Sequence, residues 1–404
     1  MLDDPGSECL HDVIHTTGFG TDERSARSIA RAAEARRRTV DYLLRRGVPA
    51  VVLTSPGAVA WVTGGFGPPI DRGASSADAW VVLSQSAATM VTTVVERERV
   101  LRDYAPSAHG FELVAVDWHD PEALPRACAD IAGIAPQDLV SDGHPMFGSD
   151  HGADLVELRL ALSSEEQADM RDLGGLTAHA IGDALRSWQP GTSTDRDIQA
   201  AIAERLEAGG ADTPVLIVGG DERVRRLRHP VAVGAVVNEL LMAVVVARRA
   251  GLHVAATRFA MTPTVHDDLR GLQERVQRID DAVLSATVPG AMYSDVMAAF
   301  GDAYAKEGAA GAWREHYQGG PIGFAQREFE FAPGGPYGAH GATKIATGHA
   351  VAWNPSLAGG AKCEDTYLID ASGLCLVTGD ETWPSAPPAP HSPLQQRRAP
   401  LIVD

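Results

Sequence analysis

Residues 241–264, LMAVVVARRAGLHVAATRFAMTPT, constrain this chain more than any other stretch. An apolar run breaks at Arg248-Arg249-Ala250-Gly251 and resumes as a second run closing on Thr257-Arg258. Two apolar segments about a short glycine-containing break have the rhythm of paired strands. The segment holds neither Asp nor Glu. No carboxylate for metal or acid–base chemistry can come from it.

The rest of the composition sets broad limits. A chain of 404 residues is long enough for two domains with substantial cores. Hydrophobic content of 45% with 22% charged residues is ordinary for a soluble globular protein. A net charge of -18 argues against a nucleic-acid surface, which rests on clustered Lys and Arg. One basic run, RVRRLR at 223–228, goes against that balance and reads as a solvated face, notable because it abuts His229. The four cysteines form no CxxC pair and no zinc-ligand spacing, which fits reduced thiols. The acidic N-terminus lacks a signal-peptide pattern, and no apolar segment approaches the ~20 residues that cross a bilayer. The expectation is a cytoplasmic protein that takes a small-molecule substrate and binds neither nucleic acid nor membrane.

Periodicity divides the chain. Residues 1–24 read as a leader, and 25–46 carry a basic, Ala-rich helix pattern stopped by Gly47. Short strands are expected at 51–54, 79–83 and 90–95, with Trp61-Val62-Thr63-Gly64-Gly65 following a turn. This alternation predicts an α/β domain over 25–157. A second unit spans 158–382. Ser163-Ser164-Glu165-Glu166 is an N-cap signature opening a helix that runs to Trp188, and further helices are expected at 194–208, 267–287 and 294–307. The Pro-rich residues 383–404 read as a flexible tail.

Three segments, TSPGAVAWVTGG (54–65), LRLALSSEEQADM (158–170) and QPGTSTDRDI (189–198), together with the hairpin, resemble in order and spacing the creatinase, aminopeptidase P and prolidase superfamily. The resemblance covers most of 25–380. It implies an α/β N-terminal creatinase-like domain and an α+β C-terminal catalytic domain of the pita-bread type, a curved antiparallel sheet flanked by helices. It also implies a homodimer as the usual assembly.

Carried over residue by residue, the family's metal ligands are mostly gone. Its two hairpin aspartates fall near Val244 and on Ala255, and its ligand histidine on Gly320 in Gln318-Gly319-Gly320-Pro321. Its second histidine falls on Arg327, followed by Glu328, and the glutamate of its Glu-Pro pair falls on Asn354. Only the last ligand stands, as Glu364 in Cys363-Glu364-Asp365. Two divalent ions need several bridging carboxylates, so no metal and no other cofactor is expected. His229, in Leu227-Arg228-His229-Pro230, falls where the family keeps a catalytic histidine.

Creatinase resembles the peptidases in fold, works without metal, and uses this histidine on a non-peptide C–N bond. The resemblance therefore implies a metal-independent enzyme acting on a C–N bond of a small polar, anionic substrate. His229 would be the acid and base and Glu364 an orienting carboxylate. Arg327, Asn354, Gln318, His316 and Glu328 would contact substrate. Lyase, cyclase or isomerase chemistry stays open beside hydrolysis. The alternatives are a metallo-aminopeptidase of Xaa-Pro type with ligands relocated to Asp221, Glu222, Glu328 or Glu330, and a non-catalytic ligand-binding protein.

Overall fold

The computed structural model describes residues 21–66, 69–265, 267–330, 332–333, 340–388, 392–394 and 397–403. The leader 1–24 lies largely outside them. The first helix, Thr21–Arg46, leads into a six-stranded mixed sheet. Its strands lie in the order Glu112–Val116, Ala88–Thr93, Ala79–Ser84, Ala50–Leu53, Val140–Ser141, Ser149–Asp150. Strand Ala50–Leu53 is apolar throughout because both its faces are covered. Val51 and Leu53 join a core with Ala32 and Leu43 of the first helix, while Ala50 and Val52 pack with Cys128 and Ala129 of helix Ala123–Ala132. The stretch around Trp61 is not a strand. Pro56–Val62 forms a short helix, with the Ser55 hydroxyl capping Ala58 N and Pro56 supplying the fixed φ of a first helical turn.

Helix Gly152–Leu160 spans the position at which the second unit was expected to begin. Helices Ser164–Arg186 and Asp195–Ala208 each open on a reciprocal capping box, Ser163 with Glu166 and Thr194 with Asp197. They cover a four-stranded sheet ordered Leu401–Ile402, Leu252–Met261, Leu240–Arg249, Asp212–Gly220. A second sheet is ordered Gly319–Pro321, Ala350–Trp353, Asp365–Asp370, Gly373–Leu376. Helices Asp267–Ala286 and Tyr293–Lys306 cover it through Val276, Val283, Phe300, Trp353 and Tyr367. The two sheets join along strand Leu252–Met261. Thr257 N donates to Glu364 O at 3.0 Å, and Thr366 Oγ1 both accepts from Ala255 N at 2.8 Å and donates to Ala255 O at 2.9 Å. The result is the curved sheet flanked by helix pairs that the resemblance implies.

The C-terminal segment differs from expectation. Among its described residues, Leu401–Ile402 pair in parallel with Ala260 and Met261, and Trp383 Nε1 donates to Ala399 O at 2.9 Å. Proline cannot donate to a sheet ladder, and the strand pairs among the described residues of the segment are two residues long. Its last apolar residues nevertheless meet an unpaired strand edge, which extends the sheet.

The hairpin tip ties the two units together. Ala250 and Gly251 both take positive φ, 48° and 80°, as a two-residue hairpin turn requires. The buried Arg31 of the first helix donates to Ala250 O at 3.0 Å and pairs with Asp169 of helix Ser164–Arg186 at 2.9 Å. A Cβ at Gly251 would lie 2.3 Å from Ala60 Cβ and 3.2 Å from the Phe324 ring. Gly251→Ala is therefore expected to lower the unfolding free energy by about 2–4 kcal/mol, adding left-handed strain to a core overlap. Gly133→Ala, also at positive φ but with nothing within 4 Å, should cost only about 1–2 kcal/mol. Urea midpoints at unchanged slope check the difference, and equal losses would contradict the packing described at the tip.

Candidate active site

Strand register puts the inherited positions on one face. Val244 pairs with Thr257 and Val246 with Ala255, and paired residues share a face. The Thr257 hydroxyl donates to Glu364 Oε2 at 2.7 Å, so that face looks onto Glu364. Gly320 pairs with Ala352, and Trp353 pairs with Asp365. Asn354 and Glu364 adjoin the Trp353–Asp365 pair and alternate to the opposite face, which Gly320 shares. Val244, Ala255, Gly320, Asn354 and Glu364 thus line one side of the curved sheet. Three of them can offer only hydrocarbon or hydrogen.

Other side chains gather around Glu364. Lys362, 5% exposed, directs its ammonium to His316 Nε2 at 3.4 Å, and His316 Nδ1 bonds Tyr317 O at 2.5 Å. That pairing sets the neutral tautomer, with the proton on Nδ1 and Nε2 as acceptor. The more exposed His229 ring lies 5.0 Å from the His316 ring, centroid to centroid. Among the described residues no hydrogen-bond partner holds either nitrogen of His229. Arg228 reaches Ser356 Oγ at 3.5 Å and pairs with Glu315 at 2.5 Å. Lys362 walls two cavities. One of about 160 Å³ is lined with Arg228, His316 and Ser356, and one of about 630 Å³ with Thr257, Gln273, Gln277 and Glu364.

Burial governs the protonation of this cluster. It raises the Glu364 carboxyl above the usual carboxylate range, with the Lys362 ammonium partly opposing. It lowers the Lys362 amine, again with Glu364 opposing. His316 is pushed down to about 3 by burial and then by Lys362, and His229 is lowered by the same two causes in the same order.

The sequence of residues 168–371 matches the model of metallopeptidase family M24, half of the chain. The chain belongs to the M24 family. Its creatinase and aminopeptidase P lineage and pita-bread fold follow, and the family is one of hydrolases. No curated protein sequence matches it. In three dimensions it is similar to the dipeptidase PepE from Mycobacterium ulcerans, at 20% identity and a TM-score of 0.69, over 96% of this chain and 100% of that one. The Xaa-Pro dipeptidase from Bacillus anthracis aligns at 16% identity and 0.67, over 92% and 100%. The X-Pro aminopeptidase from Thermotoga maritima aligns at 13% and 0.67, over 91% and 99%.

An M24 metal pair does not fit the residues present. Val244, Ala255 and Gly320 carry no donor, Asn354 offers a neutral amide, and the Lys362 ammonium beside Glu364 repels a cation. Among the described residues no three His, Cys, Asp or Glu gather in a way that could hold a metal ion. The relocated ligands considered from sequence are also engaged elsewhere. The Asp221 carboxylate accepts from Asn238 N and Nδ2, Glu239 N and Leu240 N, while Glu222 pairs with Arg226 and Glu330 with Arg327.

Several expected substrate contacts have structural work in this M24 chain. Gln318 donates from Nε2 to Trp313 O and His316 O, and its Oε1 accepts from Tyr304, so both amide donors are already used. Glu328 accepts two bonds from Arg159 of helix Gly152–Leu160, at 2.9 and 2.7 Å, and two from Phe324 N and Ala325 N. It fastens one unit to the other and is withdrawn from the cleft. Arg327 stacks over Tyr317 and pairs with Glu330. Asn354 keeps a buried Oδ1 without a partner among the described residues. The basic run is consumed by contacts: Arg223 to Val231 O, Arg225 to Asp268, Arg226 to Glu222 and Arg228 to Glu315. Lys362 was not singled out from the sequence. The available signal was its rarity, since the chain has three lysines, and its place two residues before Glu364.

The buried histidines predict an acid response. His316, His253 and His349 have native pKa values pushed to about 3, 4 and 4, below the unfolded value of ~6.5. Below ~6.5 the unfolded chain binds protons that the native one refuses, so stability present above that pH is lost as pH falls toward 4. His316→Asn should make this decline shallower in denaturation series across that window. An unchanged slope would show that His316 is protonated in the native state.

Proposed function

We propose that this M24 protein is a metal-independent hydrolase that cleaves a C–N bond in a small polar substrate carrying an anionic group. The observation that carries the reading is the face shared by the former ligand positions. Its metal donors are replaced by apolar, amide and cationic groups, yet Glu364 stands and His229 lies at the rim beside His316.

The chemistry follows from groups in reach of that face. His229, lowered from its ordinary value and exposed at the rim, is neutral at physiological pH and can take a proton from water. The hydroxide equivalent adds to the carbon of the C–N bond, and the imidazolium returns its proton to the leaving nitrogen. The net change is one water consumed, one C–O bond formed and one C–N bond broken. Glu364, held by Thr257, orients the water or an N–H of the substrate. The Oδ1 of Asn354, on the same face and without a partner among the described residues, would accept a second N–H.

The test is a screen of small amidines, amides and cyclic amines by product mass spectrometry, followed by variants on any substrate found. His229→Ala should lose roughly 10²–10⁴ in kcat, the usual reach of positioned general acid–base catalysis. Chelator in the assay should leave the wild-type rate unchanged. Full turnover by His229→Ala, or a rate abolished by chelator and restored by Mn²⁺ or Co²⁺, would overturn the reading. In the second case Xaa-Pro dipeptides would become the first substrates to try.

A further inference from the structure

We propose that Lys362 is the anion-binding residue of the cleft and that its ammonium receives a carboxylate of the ligand. This rests on the reading of that face as a substrate site, and it replaces Arg327 in the role that the sequence suggested.

The argument is one of unmatched charge. The charges that act on Lys362 and Glu364, besides each other, are Arg228, Arg327 and Asp365, and the last is paired with Arg258. Arg228 is paired with Glu315, and Arg327 with Glu330. Among the described residues Lys362 makes no ion pair within 4 Å, and neither does Glu364. Lys362 has one polar contact, the neutral His316 Nε2 at 3.4 Å, and Glu364 has the Thr257 hydroxyl. Both are more than nine-tenths buried, at 5% and 8% exposure. A buried ammonium is expected to be paired, and an ammonium carries three donors. His316 satisfies one of them.

The remaining donors border the two cavities of about 160 and 630 Å³ that Lys362 separates. A carboxylate on the ammonium would leave the nitrogen end of the ligand to Glu364, which lines the larger cavity together with Lys362. The complementary ligand is therefore a small molecule with a carboxylate at one end and a cationic or N–H-bearing nitrogen at the other. Arg327 cannot compete for that carboxylate without leaving both Glu330 and the Tyr317 ring.

The choice of residue type is itself informative. The chain uses arginine for nearly all its positive charge and has three lysines, Lys306, Lys344 and Lys362. At Lys362 the compact head of an ammonium fits beside His316 where a planar guanidinium fork would need several in-plane partners.

The probe is acetate, with acetamide as its neutral counterpart and inorganic phosphate as the competing oxyanion, titrated by calorimetry. Saturable acetate binding is expected to weaken at least about thirtyfold in Lys362→Met, as when one partner of a buried charge pair is removed. Arg327→Ala should bind acetate as wild type does, and acetamide should not displace it. Wild-type protein carrying ¹³Cε-lysine gives three side-chain signals, of which Lys362 alone should shift on acetate addition. That measurement holds whatever the variant does to folding. No saturable acetate binding, retention in Lys362→Met, loss in Arg327→Ala, or a silent Lys362 signal would each overturn the assignment. Tighter binding of phosphate than of acetate would overturn the choice of carboxylate. If Lys362 binds acetate while His229→Ala retains turnover, the subsite stands and the catalytic reading falls. Loss of turnover in His229→Ala with no role for Lys362 would mean the reverse.

Discussion

The central hairpin, Leu240–Arg249 with Leu252–Met261, is the constraint on which the rest depends. Its ten paired positions run without interruption, and nearly every side chain is buried. Leu241, Ala243, Val245 and Ala247 feed the core beneath helices Ser164–Arg186 and Asp195–Ala208. Met242, Val244 and Phe259 form a second apolar cluster with Leu269 of the following helix. Burying one such side chain contributes about 1.5–3 kcal/mol, so a strand buried on both faces fixes its own register firmly. The tip then positions the first helix through Arg31 and the Ala60–Gly251 contact. Arg248 and Arg249 stand at the hairpin's tip, while Arg258 is buried mid-strand and is satisfied by Asp365 and Thr378 O.

That apolar hairpin has a direct chemical consequence. A two-metal centre depends on carboxylates rising from these strands, where Val244 and Ala255 stand instead. The opposite wall has changed sign as well. Gly320 and Asn354 are neutral and Lys362 is cationic, which on the proposed reading suits an anion better than a dication. Glu364 is the one carboxylate left, and Thr257 holds it in place. Its nearest charged neighbour is the Lys362 ammonium, and the proposed role of Glu364 toward water or a substrate nitrogen rests on that neighbour.

Much of this was legible in the sequence because local signals were strong. The Ser163 and Thr194 capping boxes, the glycine at the hairpin turn and the alternating apolar runs each state a local geometry that the tertiary structure has no reason to override. Helix Asp195–Ala208 begins one residue after Thr194, as a cap demands. The misplacements have two causes, an overlooked local helix start at Trp61 and long-range pairing elsewhere. Trp61 lies in a helix because Ser55 and Pro56 start one, and the Pro-rich end is docked because Met261 leaves an edge open. Glu328 and Gln318 fall in a segment dense with polar residues, and nothing in the chain text says that Arg159 and Tyr304 have already taken them. Lys362 was invisible for the complementary reason. A lysine usually marks the surface, and only the paired strands reveal this one as buried.

The central claim is that the residues of this M24 cleft serve an organic ligand in place of divalent metal. Elemental mass spectrometry of the purified protein, after incubation with Mn²⁺, Co²⁺ and Zn²⁺ and removal of excess ion, tests it most directly. The account predicts metal far below one equivalent per chain and no rise in thermal midpoint with any of the three. One or two tightly held equivalents, with a higher midpoint, would contradict it and place the chain back among the metallopeptidases.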